Sequence, residues 1–141
     1  MKVLLDVNVI LDVLLARKPW AADSALLLDA AERGRVKAYA AGHTITTACY
    51  IVARNSSARK AATAVTDILR IVEIVPIEAV DFAQALVLGM PDFEDAVQAA
   101  AAAKVGADFV ATRNAKDYRK SPITARTPSE LLALLDPSSQ D

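Results

Sequence analysis

Asp6, Asp95 and Asp117, with Asp92 close to the second of them, are the side chains whose type and placement could do chemistry. They lie far apart along the chain, and each stands at a break in an apolar stretch. Asp6 ends the run Lys2 to Leu5, Asp92 and Asp95 follow a Gly-Met-Pro break, and Asp117 comes after the segment DFVAT. Carboxylates gathered in one place repel one another unless a cation neutralises them. Hard divalent ions such as Mg²⁺ or Mn²⁺ take oxygen ligands, and Mg²⁺ keeps several of its waters. An ion held in this way can activate a water and hold a scissile phosphate, which is metal-assisted phosphodiester hydrolysis. Other chemistries find less support. One His and one Cys are too few for the usual zinc ligand sets. The four glycines form neither a G-x-G-x-x-G loop nor a Walker A motif, and no G-x-S-x-G elbow is present.

Each acid also has a plainer reading. Asp6 could cap a helix that starts near Val7. Asp92 and Asp95 are three apart, so the first could be an N-cap and the second an acid of the first turn. Asp117 could be an ordinary turn residue. Asp12, further down the first helix, reads as solvated or as a support for the site. Glu94 falls on a different helix face from Asp95 and reads as peripheral. His43 reads as structural or surface-exposed, and Cys49 as a small core residue.

The elements that must position these acids alternate between strand and helix. Strands are expected at Lys2 to Leu5, Val36 to Ala40, Ile71 to Val75, Asp108 to Thr112 and Ile123 to Ala125. The β-branched density of Ile71, Val72, Ile74 and Val75 supports the third of these. Helices are expected over Val7 to Leu15, Trp20 to Arg33, Ile45 to Arg54, Ala58 to Leu69, Glu78 to Leu88, Asp92 to about Val105, and Ser129 to Leu135. The second would carry Trp20, Ala21, Ala25, Leu28 and Ala31 on its apolar stripe. Arg113 to Ser121 reads as a polar connection. Such alternation implies an α/β domain with a mostly parallel sheet covered on both faces. Sites in such sheets form beyond the carboxyl ends of the strands, where Asp6 and Asp117 fall.

A chain of 141 residues with 54% hydrophobic content suits one domain with its own core. That domain is expected over residues 1–135, followed by a polar tail. The single cysteine cannot form an internal disulfide. Asp6, Asn8 and Asp12 interrupt the apolar N-terminus, which reads as core strand and helix rather than a leader. The alanine run at 99–103 is too short to span a bilayer. A cytoplasmic protein with no membrane association is expected. The formal net charge of −1 excludes polyanion binding by global charge alone. Arg113, Lys116, Arg119, Lys120 and Arg126 nevertheless crowd a segment whose only acid is Asp117, either as a solvated loop or as a phosphate-contacting patch.

Three blocks, in this order, resemble one family. They are the opening strand followed by DVNVILD, the long segment PDFEDAVQAAAAAKVGADFVATRNAKDY, and the closing ITARTPSELLALL. Together they resemble the PIN-domain ribonucleases, which include the toxins of VapBC-type toxin–antitoxin pairs, over residues 1–135. The resemblance implies a three-layer fold with a mostly parallel central sheet of four or five strands. It implies that Asp6, Asp95 and Asp117 bind Mg²⁺ or Mn²⁺ and cleave RNA. Asn8, Asp92, Thr112 and Asn114 would support them, and Arg113, Lys116, Arg119 and Lys120 would meet the RNA. An antitoxin partner and a homodimer are further implications. One departure stands out. Many family members carry a Glu on the helix after the second strand, whereas HTITTACYIVAR has no acid, and the matching position is Thr47 or, in a shifted register, Cys49. Asp12 or Asp92 could compensate.

Two functions therefore follow from the residues and the resemblance. The first is a metal-dependent endoribonuclease, as in a toxin. The alternative is a PIN-like module of weak or no activity that binds RNA or a protein. A phosphoacceptor domain of response-regulator type is disfavoured, because the strand ending at Val75 is followed by Pro76 rather than an Asp.

Overall fold

The computed structural model describes residues 1–136. The polar tail expected beyond the domain therefore lies, from residue 137 onward, outside the described residues. Five strands form one sheet in the order β3-β2-β1-β4-β5, and every neighbouring pair is parallel. The strands are β1 (Lys2–Leu5), β2 (Lys37–Ala41), β3 (Glu73–Val75), β4 (Phe109–Ala111) and β5 (Ala125–Arg126). Between the first two run helices α1 (Val7–Leu14) and α2 (Ala21–Glu32). Helices α3 (Gly42–Asn55) and α4 (Ala58–Ile71) connect β2 to β3, and α5 (Ala79–Leu86) and α6 (Phe93–Lys104) connect β3 to β4. A short 3₁₀ turn at Ala115–Tyr118 precedes β5, and α7 (Pro128–Leu135) ends the described chain.

Strand order and crossover hand together decide which helices cover which face. Parallel crossovers are almost always right-handed. The chain moves outward from β1 through β2 to β3, so α1 to α4 lie on one face. It then returns past β1 to β4 and β5, which puts α5, α6 and the 3₁₀ turn on the other. The period of two along the strands agrees. Val3 and Leu5 of β1 join one core cluster with Val9, Leu27, Ala48 and Ile68, whereas Leu4 joins a second with Val75, Ala99, Ala101 and Val110. The direction of winding reverses between β1 and β4, and ligand crevices in open α/β sheets open at that switch point.

Local signals set several helix ends. Ser57 accepts a hydrogen bond from the Lys60 N–H at 3.1 Å and starts α4. Thr127 and Glu130 form a reciprocal capping box at α7, with Pro128 in the first turn. Gly106 closes α6 at φ 66°, a left-handed conformation that side chains with a Cβ resist. Its N–H donates to Ala103 O at 3.1 Å and the next N–H donates to Ala102 O at 2.9 Å, which satisfies two terminal carbonyls.

Four local expectations differ from the structure. Ile71 ends α4, and β3 begins only at Glu73, because Ile71 packs against the core from the helix and tertiary burial outweighs β-branched propensity. The buried stripe of α2 runs through Ser24, Leu27 and Leu28, while Trp20 and Ala25 are exposed. A fully buried serine shifted the apparent face. Helix α3 starts at Gly42, directly after β2, rather than at Ile45. The connection after β4 contains the 3₁₀ turn, and β5 is displaced to Ala125–Arg126. No described helix is long and apolar enough to cross a membrane.

Candidate active site

Asp6 is the first residue beyond β1. Its backbone N–H donates to Ala111 O at 2.9 Å and so extends the β1–β4 ladder across the switch point. It occupies the N-cap position of α1, yet its side chain caps nothing. One carboxylate oxygen, Oδ2, accepts from Thr112 Oγ1 at 2.8 Å, and Oδ1 accepts from Gln98 Nε2 at 3.2 Å. Thr112 is the equivalent residue beyond β4 and is fully buried. The two strands at the switch point thus supply a carboxylate and the hydroxyl that orients it.

Gln98 does the capping that Asp6 does not. Its Oε1 accepts the Val7 N–H at 3.2 Å, one of the first-turn donors that a helix leaves unpaired. Its Nε2 donates to both Asp6 and the Tyr118 hydroxyl, the latter at 3.3 Å. Tyr118 OH in turn donates to Asp95 Oδ1 at 3.3 Å. Burial and the charges of Asp6 and Asp95 push the Tyr118 phenol far above its ordinary range, which keeps it a proton donor. Gln98 lies one turn after Asp95 on α6, so both side chains leave the same helix face. One chain of hydrogen bonds therefore links β1, β4, α6 and the 3₁₀ turn.

Asp95 is only partly exposed, and its N–H is capped by Asp92 Oδ1 at 2.9 Å. Its pKa is pushed up to about 7, first by burial and then by the charges of Asp6 and Asp92. Asp117 and Asn114 are exposed, and the Asn114 N–H donates to Thr112 Oγ1 at 3.2 Å, which turns the chain into the 3₁₀ segment. A cavity of about 240 Å³ lies among these groups. Its walls include Asp6, Asn8, Asp92, Glu94, Asp95, Thr112, Asn114, Asp117 and Tyr118, and no lysine or arginine. The structure brings Asp6, Asp95 and Asp117 to one crevice. It also places Glu94 there, contrary to the expectation of a peripheral residue.

The donor set is all oxygen, which suits a hard divalent cation. No three acidic, histidine or cysteine side chains among the described residues converge closely enough to enclose an ion alone. Mg²⁺ is commonly held through one or two carboxylates and keeps several waters. The like charges that raise the Asp95 pKa are the electrostatic reason why a cation would fit there.

The remaining candidates lie outside the cavity. Asp12 is buried and paired with Arg113 at 3.5 Å and Arg17 at 3.8 Å, although burial still raises its pKa. It does not line the cavity. Arg113 is held in place. Its Nη2 donates to Asn8 Oδ1 at 3.4 Å, and its guanidinium lies 4.0 Å from the centre of the Trp20 ring. Lys116, Arg119 and Lys120 are exposed around the 3₁₀ turn. Helix α3 lends nothing to the cavity walls, and Thr47 and Cys49 are both partly buried along it. At its start, both ring nitrogens of His43 are buried without a hydrogen-bond partner, and burial lowers the His43 pKa against the pull of Glu94.

Gln98 and Tyr118 were absent from the sequence-based site. A signal for Gln98 existed. It is the single polar residue in the run from Ala96 to Ala103, three positions after Asp95. Tyr118 had only its place beside Asp117.

An α/β domain with an acidic crevice at its switch point is the class defined so far. The family model of the PIN domain matches residues 2–116, and the chain belongs to the PIN-domain family. Asp117 falls one residue past the matched span. PIN domains are in general nucleases that use divalent metals. No curated protein sequence matches the chain. Solved structures share the fold. A chain in the crystal structure of VapBC2 from Rickettsia felis, bound to a DNA fragment from their promoter, superposes with a TM-score of 0.68 at 14% identity, covering 90% of this chain and 98% of that one. VapC20 of Mycobacterium tuberculosis, a toxin that cleaves the sarcin–ricin loop, gives 0.63 at 16% identity over 77% and 86%. A chain of FitAB bound to a DNA fragment gives 0.67 at 24% identity over 89% and 94%.

Proposed function

We propose that this protein is a metal-dependent endoribonuclease and the toxin of a toxin–antitoxin pair. The observation that carries this reading is the meeting of Asp6, Asp95 and Asp117 in one crevice whose walls hold no cationic side chain. Asp6, Asp95 and Asp117 would hold Mg²⁺ or Mn²⁺. When bound, such an ion supplies a Lewis acid and a lowered pKa for water. The chain's own residues do the positioning. Thr112 and Gln98 fix both oxygens of Asp6. Tyr118 holds Asp95 through its Oδ1, and Asp92 anchors the start of α6 beneath it. With its pKa near 7, Asp95 carries a proton for part of the time in the metal-free protein at neutral pH. Asn8 and Asn114 add neutral polar groups to the crevice walls. Lys116, Arg119 and Lys120 supply exposed positive charge for an RNA backbone.

An antitoxin protein and a homodimer belong to the same reading. Support for the antitoxin comes from the family and from the VapBC and FitAB assemblies that share the fold. The test is cleavage of a panel of single-stranded RNAs with Mg²⁺ or Mn²⁺. Asp6→Asn and Asp95→Asn should each lower the rate by about two orders of magnitude or more. Wild-type protein that leaves every RNA intact with either metal would sink the proposal. The lack of an acid on α3 favours one second reading, a PIN-like module that binds RNA or protein without cleaving. Calorimetric titration with Mn²⁺ separates the two, because tight binding that depends on Asp6 counts against the inert module.

A further inference from the structure

A second cleft lies beside Arg113, whose side chain reaches Asn8 of the acidic cavity. It has a volume of about 280 Å³ and is lined by Trp20, Ser24, Arg113, Thr127, Pro128 and Ser129, among others. Three features make it unlike an ordinary surface dimple. Trp20 leaves 42% of its surface in solvent, although burial of so large an apolar ring is strongly favourable. Its ring already carries the Arg113 guanidinium 4.0 Å from its centre. The Ser24 hydroxyl, on the cleft wall, is fully buried and has no hydrogen-bond partner. Buried hydroxyls are normally satisfied, so an orphan one in a cleft wall points to a ligand.

We propose that this cleft is a nucleobase subsite, which receives a base of single-stranded RNA next to the phosphate that enters the acidic cavity. This rests on the ribonuclease reading above. One side-chain contact links the two sites. Arg113 lines the cleft and donates to Asn8, and Asn8 lines the acidic cavity. A nucleotide presents an aromatic face and an anionic phosphate side by side, and the Trp20–Arg113 pair presents the matching aromatic face and cation. Stacking on aromatic rings is how proteins hold unpaired bases without requiring one sequence. Asp12, in ion-pair range of Arg113, keeps the guanidinium in place before RNA arrives. Ser129, which is exposed, offers its hydroxyl to a base edge. Ser129 also lies in the first turn of α7, where backbone N–H groups lack helical partners.

The chain has one tryptophan, so its emission reports on this cleft alone. The experiment uses Asp95→Asn protein with Mg²⁺ and two probes, a short single-stranded oligoribonucleotide of mixed sequence and an abasic strand of the same length. The intact strand should quench Trp20 emission as it binds, and the abasic strand should quench little. Trp20→Ala should weaken binding of the intact strand, followed by anisotropy, about tenfold, in line with the loss of one stacked base. Trp20→Phe should keep most of the affinity, which separates stacking from collapse of the fold. Equal quenching by both strands would show backbone contact and overturn the subsite. So would unchanged affinity in Trp20→Ala with silent Trp20 emission, which would leave the cleft to a protein ligand and the ribonuclease reading intact. Failure of wild-type protein to cleave, together with no RNA binding by either protein, would remove both readings.

Discussion

Replacing Asp95 with Asn should make the metal-free protein more stable at pH 8. The Asp95 pKa rises from 3.8 to about 7 on folding, because burial and the charges of Asp6 and Asp92 penalise its ionised form. Above pH 7 the carboxyl is charged in both states and the folded state bears the full penalty. Below about pH 4 it is neutral in both and the penalty vanishes. Between these limits the folded state binds more protons, so stability falls as pH rises through the window. One pKa unit corresponds to about 1.36 kcal/mol, which sets an upper bound near 4 kcal/mol. Asp95 retains some contact with water, and solvent screening lowers the figure to about 2–3 kcal/mol. Asn keeps the oxygen that accepts from Tyr118 but never ionises. Urea denaturation in EDTA from pH 4 to pH 8 should therefore show curves that meet near pH 4 and diverge to about 2–3 kcal/mol at pH 8. Saturating Mn²⁺ should close most of that gap, since a ligand at one hundred times its dissociation constant adds about 2.7 kcal/mol to the protein that binds it. Equal stabilities at pH 8, or a difference independent of pH, would refute the electrostatic account of this crevice.

Other perturbations follow from the same contacts. Gln98→Ala should cost about 2–4 kcal/mol in urea denaturation, because it opens a cavity and strands the buried Val7 N–H. Thr112→Val keeps the shape but removes the hydroxyl donor to Asp6, and should cost about 1.5–3 kcal/mol by the same measurement. It should also weaken Mn²⁺ binding in calorimetry, since Asp6 loses its orientation. Ala101→Leu forces bulk between α6 and the sheet, where Ala101 is fully buried. It should destabilise by about 1–3 kcal/mol in thermal melts. Unchanged melting of that variant would mean that the helix–sheet gap is not filled.

The alternation of apolar strands and helices made the layered fold legible, because the period of residues such as Val3, Leu4 and Leu5 depends on the backbone alone. The acids were legible for a related reason. An acid directly after a strand, as Asp6 is after Leu5, lies at the carboxyl end of the sheet wherever the strand sits in the order. Contacts between distant segments were harder to read. Nothing near Gln98 in sequence indicates that it will cap a helix ninety-one residues away at Val7. Ser24 stands outside the apolar stripe that the sequence suggests for α2, yet packing buries it completely. Ile71 had the chemistry of a strand residue, and only its neighbours across the core keep it helical. Glu94 was placed by the angle of its helix face, which ignored how closely the first turn of α6 lies against the crevice.

The face that α6 turns to the sheet is made of methyl groups, with Ala99, Ala101 and Ala102 all at 0% exposure against Leu4, Val75 and Val110. Alanine has no side-chain torsion to adjust. The helix therefore rests on the strands like a bar on a thin, incompressible shim. Any error in that shim moves Asp95 bodily relative to Asp6, with no flexible side chain in between to absorb it. The alignment of the acids is thus gauged by residues that have no chemistry of their own. A substitution among these alanines should disturb the crevice while leaving every polar residue in it intact.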